Sequence, residues 1–130
     1  ARYMETWSHA QAIYDLMGQK RTYTDDIEHI VQIGVKTFKW TFRNRKLKVP
    51  EIFPHIELRS PSGGKWTYND PNDEESIKGK ASDFCHVVTQ NRNIKDTTLE
   101  VNGKISEHWM SIAQCFAGDP ENPPKKGARN

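Results

Sequence analysis

Apolar residues recur at helical spacing in the first third of the chain. Tyr3, Trp7, Ala10, Tyr14 and Met17 step by four, three, four and three, which predicts a helix over 2–17 with one apolar stripe. Ala12 and Leu16 form a second stripe roughly opposite, in line with Glu5 and His9. A helix that is apolar on two sides is expected to be covered on both, as in the interior of a bundle. Gly18 marks its end. Thr24-Asp25-Asp26 offers a cap for a second helix over about 25–44, with Ile27, Ile30, Val31, Gly34, Phe38 and Phe42 on its buried face. Gly34 would let a neighbouring element come close.

Pro50 and Pro54 break the pattern, and behind them the period changes from helical to alternating. Ile56 and Leu58 alternate with Glu57 and Arg59, Pro61-Ser62-Gly63-Gly64 makes a turn, and Trp66 and Tyr68 alternate again. Together these predict a hairpin. A short strand is expected around Ile77, then a helix over 81–91 on Ala81, Phe84, Cys85 and Val88. A further strand over 98–101 closes at Asn102-Gly103, and a last helix on Ile105, Trp109, Ile112, Ala113 and Phe116 is expected to end at Gly118. The segment 119–130, rich in Pro, Lys and Gly, is expected to be disordered. The class is α+β: two helices in 1–48, then a small antiparallel-sheet α+β domain in 52–118. Two helices bury little surface alone, so the first part needs the second, a partner chain or further helices.

Composition narrows the functions. The 130 residues are 28% charged and 35% hydrophobic, a polar but globular balance. Lys and Arg number 19 against 17 acids, a net charge of +2 without a basic run, which argues against nucleic acid as the partner. No apolar run reaches the roughly 18 residues of a membrane span, and the first residues do not form a signal peptide. The two cysteines, Cys85 and Cys115, share no Cys-x-x-Cys motif and fall on apolar stripes. They read as buried reduced thiols in a cytoplasmic protein.

Candidate chemistry starts in ARYMETWSH. Glu5 and His9 lie four apart and share a helix face, where a carboxylate and an imidazole can grip one metal ion. The alternative is an ordinary surface pair, since zinc usually takes three protein ligands plus water in a catalytic site. His29 could approach the pair if the helices run antiparallel, whereas His86 and His108 read as packing-edge residues. Gln90, Arg92 and Asp96 make a polar cluster that is either a solvated helix end or an anion clamp built on Arg92. Neither a Walker motif nor a nucleophile elbow occurs.

The run Arg2-x-x-Glu5-x-Trp7-x-His9 resembles the mycothiol-dependent maleylpyruvate isomerase family, whose metal-binding bundle is DinB-like. HIVQIGVKTFKWTF is similar to the helix that follows in that bundle. IELRSPSGGKWTYND, KGKASDFCHVVTQNRN, DTTLEVNG and EHWMSIAQCFAG resemble one bacterial branch of unassigned activity, sometimes labelled wyosine base formation domain proteins. The resemblance covers about residues 2–118. It implies that Glu5 and His9 bind zinc, with a third ligand, a His, on an earlier helix, so the chain is expected to be the C-terminal part of a longer protein. It also implies a low-molecular-weight thiol cofactor, whose pKa zinc lowers for attack on an electrophilic small-molecule substrate. Arg2 would orient Glu5 or bind substrate, and Arg92 would add a substrate contact. Ala12 stands where relatives often carry Asp, and Gln32 where they often carry His. Those departures leave room for another function, a non-catalytic module for a small or lipid-like ligand with a vestigial metal site. On either reading, the chain by itself could form a homodimer through the exposed face of helix 2–17.

Overall fold

The computed structural model describes residues 2–128, with Arg2 described by its backbone alone. Its elements in order are α1 (Arg2–Leu16), a single 3-10 turn (Asp25–Ile27), α2 (Glu28–Lys36), α3 (Phe38–Asn44), β1 (His55–Arg59), β2 (Lys65–Tyr68), β3 (Ser76–Lys80), α4 (Ala81–Val88), a second 3-10 turn (Ile94–Asp96), β4 (Glu100–Asn102) and α5 (Lys104–Ile112). The class is α+β, as expected.

The strands form one sheet in the order β2-β1-β3-β4. β1 and β2 make the expected hairpin, with Ile56 opposite Tyr68 and Leu58 opposite Trp66. The sheet is not purely antiparallel, however. β3 lies parallel to β1, with Ile56 beside Ile77 and Arg59 beside Lys80, and only β4 returns antiparallel to β3. The cause is the loop after Tyr68. Asn69, at φ +66, turns the chain, and its side-chain amide donates to the Pro54 carbonyl (2.9 Å). The chain thus passes under the start of β1 and pairs on its far edge. Alternation shows which face a residue takes and not which neighbour its strand finds.

Ile56, Leu58 and Ile77 point into the core, whereas Arg59, Lys78 and Lys80 face solvent. The helices cover only the apolar side of the sheet. The core draws on the whole chain: Met4, Trp7, Ile30, Val31, Phe38 and Phe42 pack in one cluster with Ile56, Leu58, Phe84, Val88 and Trp109. Trp109 is its aromatic hub, edge-on to Phe38 (4.9 Å between centroids) and Phe84 (5.9 Å).

All four expected helices differ from their expected form, the one over 81–91 by ending at Val88. The single helix expected over 25–44 is broken at Thr37, whose hydroxyl donates back to the carbonyls of Ile33 (2.9 Å) and Gly34 (3.1 Å). The helix expected up to Gly118 stops at Ile112, because Ala113 turns extended and the Cys115 N–H bonds to the Val88 carbonyl (2.9 Å). The α1 stripe is rotated: Met4, Trp7 and Gln11 are buried, while Tyr3 and Met17 are exposed. α1 is covered on one side only among the described residues, which leaves Ile13 59% and Leu16 87% exposed.

Residues 119–128 lie along the body. The Gln90 amide donates to the Glu121 carbonyl (2.8 Å), Asn93 to the Pro124 carbonyl (3.0 Å), and the Gly127 N–H to Asp96 (2.8 Å). No helix among the described residues is long and apolar enough to cross a membrane.

α2 meets α4 at Gly34. A Cβ there would stand 2.9 Å from Phe84 Cε2 and 3.0 Å from both Val88 methyls. Gly34→Ala is therefore expected to cost about 1–3 kcal/mol through overpacking, despite alanine's better helix propensity. Urea unfolding followed by tryptophan fluorescence checks this; an unchanged midpoint would show that the helices can slide apart freely.

Candidate functional site

Glu5 and His9 stand one turn apart on α1, and both are exposed. They line a concavity of about 400 Å³ with Met4, Ser8, Thr89, Phe116 and Glu121. Carboxylate and imidazole are suitable zinc donors. They are two donors only: among the described residues no group of three or more His, Cys, Asp or Glu stands close enough to hold a metal ion. His29 does not join them. It lies edge-on to Tyr3 (6.2 Å between centroids) and lines a separate concavity with Gln32 and Lys36. The Arg2 side chain lies outside the described residues.

Arg92 belongs to another part of the molecule. Its guanidinium grips the Asp15 carboxylate with two bonds of 2.7 Å, and Nη1 also donates to the Asn91 carbonyl (2.9 Å). The bond to Asp15 raises its pKa, against the opposing effect of burial. The fork of Arg92 thus ties the end of α1 to the segment after α4.

This ion pair borders a cleft of about 740 Å³ between the end of α1, the 18–23 loop and α4. His86 and Tyr23 form its inner wall. His86 is 4% exposed, and its Nε2 lies 2.6 Å from the Tyr23 hydroxyl. Its Nδ1 is buried without a partner. Burial, with the Arg92 charge second, lowers its pKa to about 4. The imidazole is therefore neutral at physiological pH. Burial also raises the Tyr23 pKa, with Arg21 opposing. Arg21 caps this wall, stacked 4.6 Å over the Trp7 ring and donating to the Trp7 carbonyl (2.9 Å).

Both thiols are free and buried, as the sequence predicts. Burial raises the Cys85 pKa well above its usual value and pushes Cys115 up to about 12, so neither is a ready nucleophile. Sequence reasoning placed His86 at a packing edge and missed Tyr23 and Arg21. His86 sits between Cys85 and Val87 on a buried helix, and no local signal in residues 19–24 announces that their loop folds back over it.

The geometry defines an α+β module with a polar, histidine-walled cleft and, separately, an exposed carboxylate–imidazole pair. No family model matches the chain, and no solved structure matches it. The chain is 38% identical over 122 residues to proteins of two strains of Mycobacterium tuberculosis, each described as an uncharacterized protein. The match takes in 92% of this chain and 47% of each relative. The chain therefore spans about half the length of the curated relatives it matches.

His86 takes up its proton at about 4 when folded, against a usual value of 6.5. Between those values the unfolded chain holds more protons, so stability rises with pH. The contribution is fully present above 6.5 and lost as pH falls towards 4. It amounts to about 3 kcal/mol. His86→Phe should flatten this part of the pH–stability curve; urea midpoints of both proteins across the window check it, and parallel curves would refute the role of His86.

Proposed function

We propose that this chain is part of a DinB-like, zinc-dependent protein that works with a low-molecular-weight thiol of the mycothiol kind, as an isomerase or S-transferase, and that it contributes two zinc ligands, Glu5 and His9. The observation that carries this reading is their placement. Both donors are exposed side by side on α1, above Ile13 and Leu16, which no described element covers. That surface suits packing by a further helix, which could bring the missing donor. Zinc held there would act as a Lewis acid that lowers the thiol pKa. On this reading Arg2 would orient Glu5 or meet an anionic small-molecule substrate, a role that rests on the family resemblance. Arg92, already engaged by Asp15, acts as a brace. The buried reduced thiols agree with a cytoplasmic location.

A second reading has its own support. The Tyr23–His86 cleft is larger than the Glu5–His9 concavity, and its wall holds the buried, unpartnered His86 Nδ1. It favours a non-catalytic module for a small or lipid-like ligand, with a vestigial metal site.

Metal analysis separates the two. In the longest natural form of the protein, purified without chelator, the first reading expects about one zinc per chain, lost in Glu5→Ala/His9→Ala. Chain 1–130 alone should bind zinc weakly. Metal-free protein, or a double variant with unchanged activity, would leave the second reading standing.

The uncovered face of α1 is also a surface for self-association of chain 1–130. We expect a homodimer by light scattering, dissociated by Leu16→Glu. A wild-type monomer at high concentration would remove this proposal.

A further inference from the structure

The open face of the sheet carries an unusual row of charges. Arg59 pairs with Lys65 on one side and with Lys80 on the other, so three cations stand at one register level across β2, β1 and β3. All three are exposed on the same face. Neighbouring strands are ~5 Å apart, and like charges directly opposite one another are destabilising. Lys65 has some relief from Glu57, at 3.7 Å. Among the described residues, the side chains of Arg59 and Lys80 have no hydrogen-bond or ion-pair partner.

Two of the nearby acids, Asp83 and Asp25, are engaged elsewhere, while Glu57 and Glu100 line the concavity over the sheet and not the one against Tyr23 and Ser82. Asp83 accepts from the N–H (3.1 Å) and hydroxyl (2.7 Å) of Thr98, and Asp25 accepts from the Ser62 N–H (3.1 Å). Glu100 sits opposite Lys78, one step further along β3.

The row borders two adjoining concavities. One, of about 470 Å³, lies over the sheet between Arg59, Lys78 and Lys80. The other, of about 290 Å³, lies against Tyr23 and Ser82, with Arg59 and Lys80 again in its wall. Arg59 and Lys80 end the parallel pair β1 and β3, and α4 begins at the next residue with no side chain capping it. The first-turn N–H groups of α4 therefore add positive potential to that of the two cations.

We propose that this chain binds the phosphate group of a small molecule at the ends of β1 and β3, between Arg59 and Lys80, with the Ser82 hydroxyl as a further donor. The match is one of charge. Two unpartnered cations balance the roughly −1.5 to −2 of a phosphate monoester, whereas a single carboxylate would leave one unmatched. Arg59 offers a planar fork for two phosphate oxygens, and Lys80 a point charge. The rest of the ligand lies along Tyr23, which lines this concavity and the His86 cleft alike. The site is independent of Glu5 and His9, so it stands whether or not the chain takes part in a metal centre.

The test is titration of chain 1–130 with inorganic phosphate at constant ionic strength, followed by amide chemical shifts and melting temperature. We expect saturable shifts confined to residues near Arg59, Lys80 and Ser82, and a rise in melting temperature. Arg59→Gln/Lys80→Gln should weaken binding about tenfold or more. Lys104→Gln, just past Asn102, which pairs with Ser76 at the opposite end of β3 from Lys80, should leave it unchanged. Vesicles of phosphatidylcholine with phosphatidic acid separate the two sources of phosphate. Sedimentation with them alongside saturable phosphate shifts assigns a lipid headgroup, and its absence assigns a soluble ligand. Shifts that do not saturate, or that persist in the double variant, would overturn the site.

Discussion

The close packing of α2 on α4 is the constraint on which the rest of the molecule depends. Phe84 and Val88 of α4 occupy the space beside Gly34 that a side chain on α2 would need. α4 follows β3 without a linking residue, so its position is set by the sheet. Gly34 therefore couples the first helices directly to the strands. The Phe38, Phe84 and Trp109 rings extend the contact to α3 and α5. With one face of α4 taken by α2 and the sheet, His86 turns towards Trp7 and Tyr23. The histidine-walled cleft is thus a consequence of the same packing that builds the core.

How much of this was legible in the sequence depended on the range of the interaction. Ile56, Leu58, Trp66 and Tyr68 announced the hairpin because alternation and a Gly-Gly turn are local signals. Gly34 was recognisable as a point of close approach because it interrupts an apolar helix face. The parallel pairing of β1 with β3 was not legible, since it hangs on Asn69 reversing the chain and reaching back to the Pro54 carbonyl. The break at Thr37 was hidden for a similar reason: Phe38 and Phe42 continue the helical spacing across it, and the hydroxyl that bends the chain leaves the pattern unchanged. Glu5 and His9 were visible as a spaced pair. The Tyr23–His86 contact was not, because it joins residues 63 apart in the chain.

The two ends of α1 are held by different physics. Near its start, Met4 and Trp7 are buried in the core, and the Met4 sulfur lies 2.9 Å from that of Cys115. Near its end, Asp15 takes the fork of Arg92. A partly buried ion pair of this kind adds little net stability, because desolvation of both groups offsets the attraction. It does restrict geometry: two parallel bonds fix the rotation of the helix about its own axis, which apolar packing alone leaves softer.

That rotation matters for the exposed side. With Trp7 turned inward and Asp15 pinned, Glu5 and His9 can only point away from the core. The pair is consequently presented on a rigid helix and not on a loop, with its separation set by one helical turn. If the pair serves as the zinc donors proposed above, a third donor arriving from another element would meet two side chains whose backbone is already ordered, and most of the entropic cost of assembly would fall on the newcomer. The rotation that exposes the pair also exposes Ile13 and Leu16 beside it. An element packing on those residues would gain apolar burial as it approached Glu5 and His9, so on the zinc proposal covering the helix and completing the site would be one event.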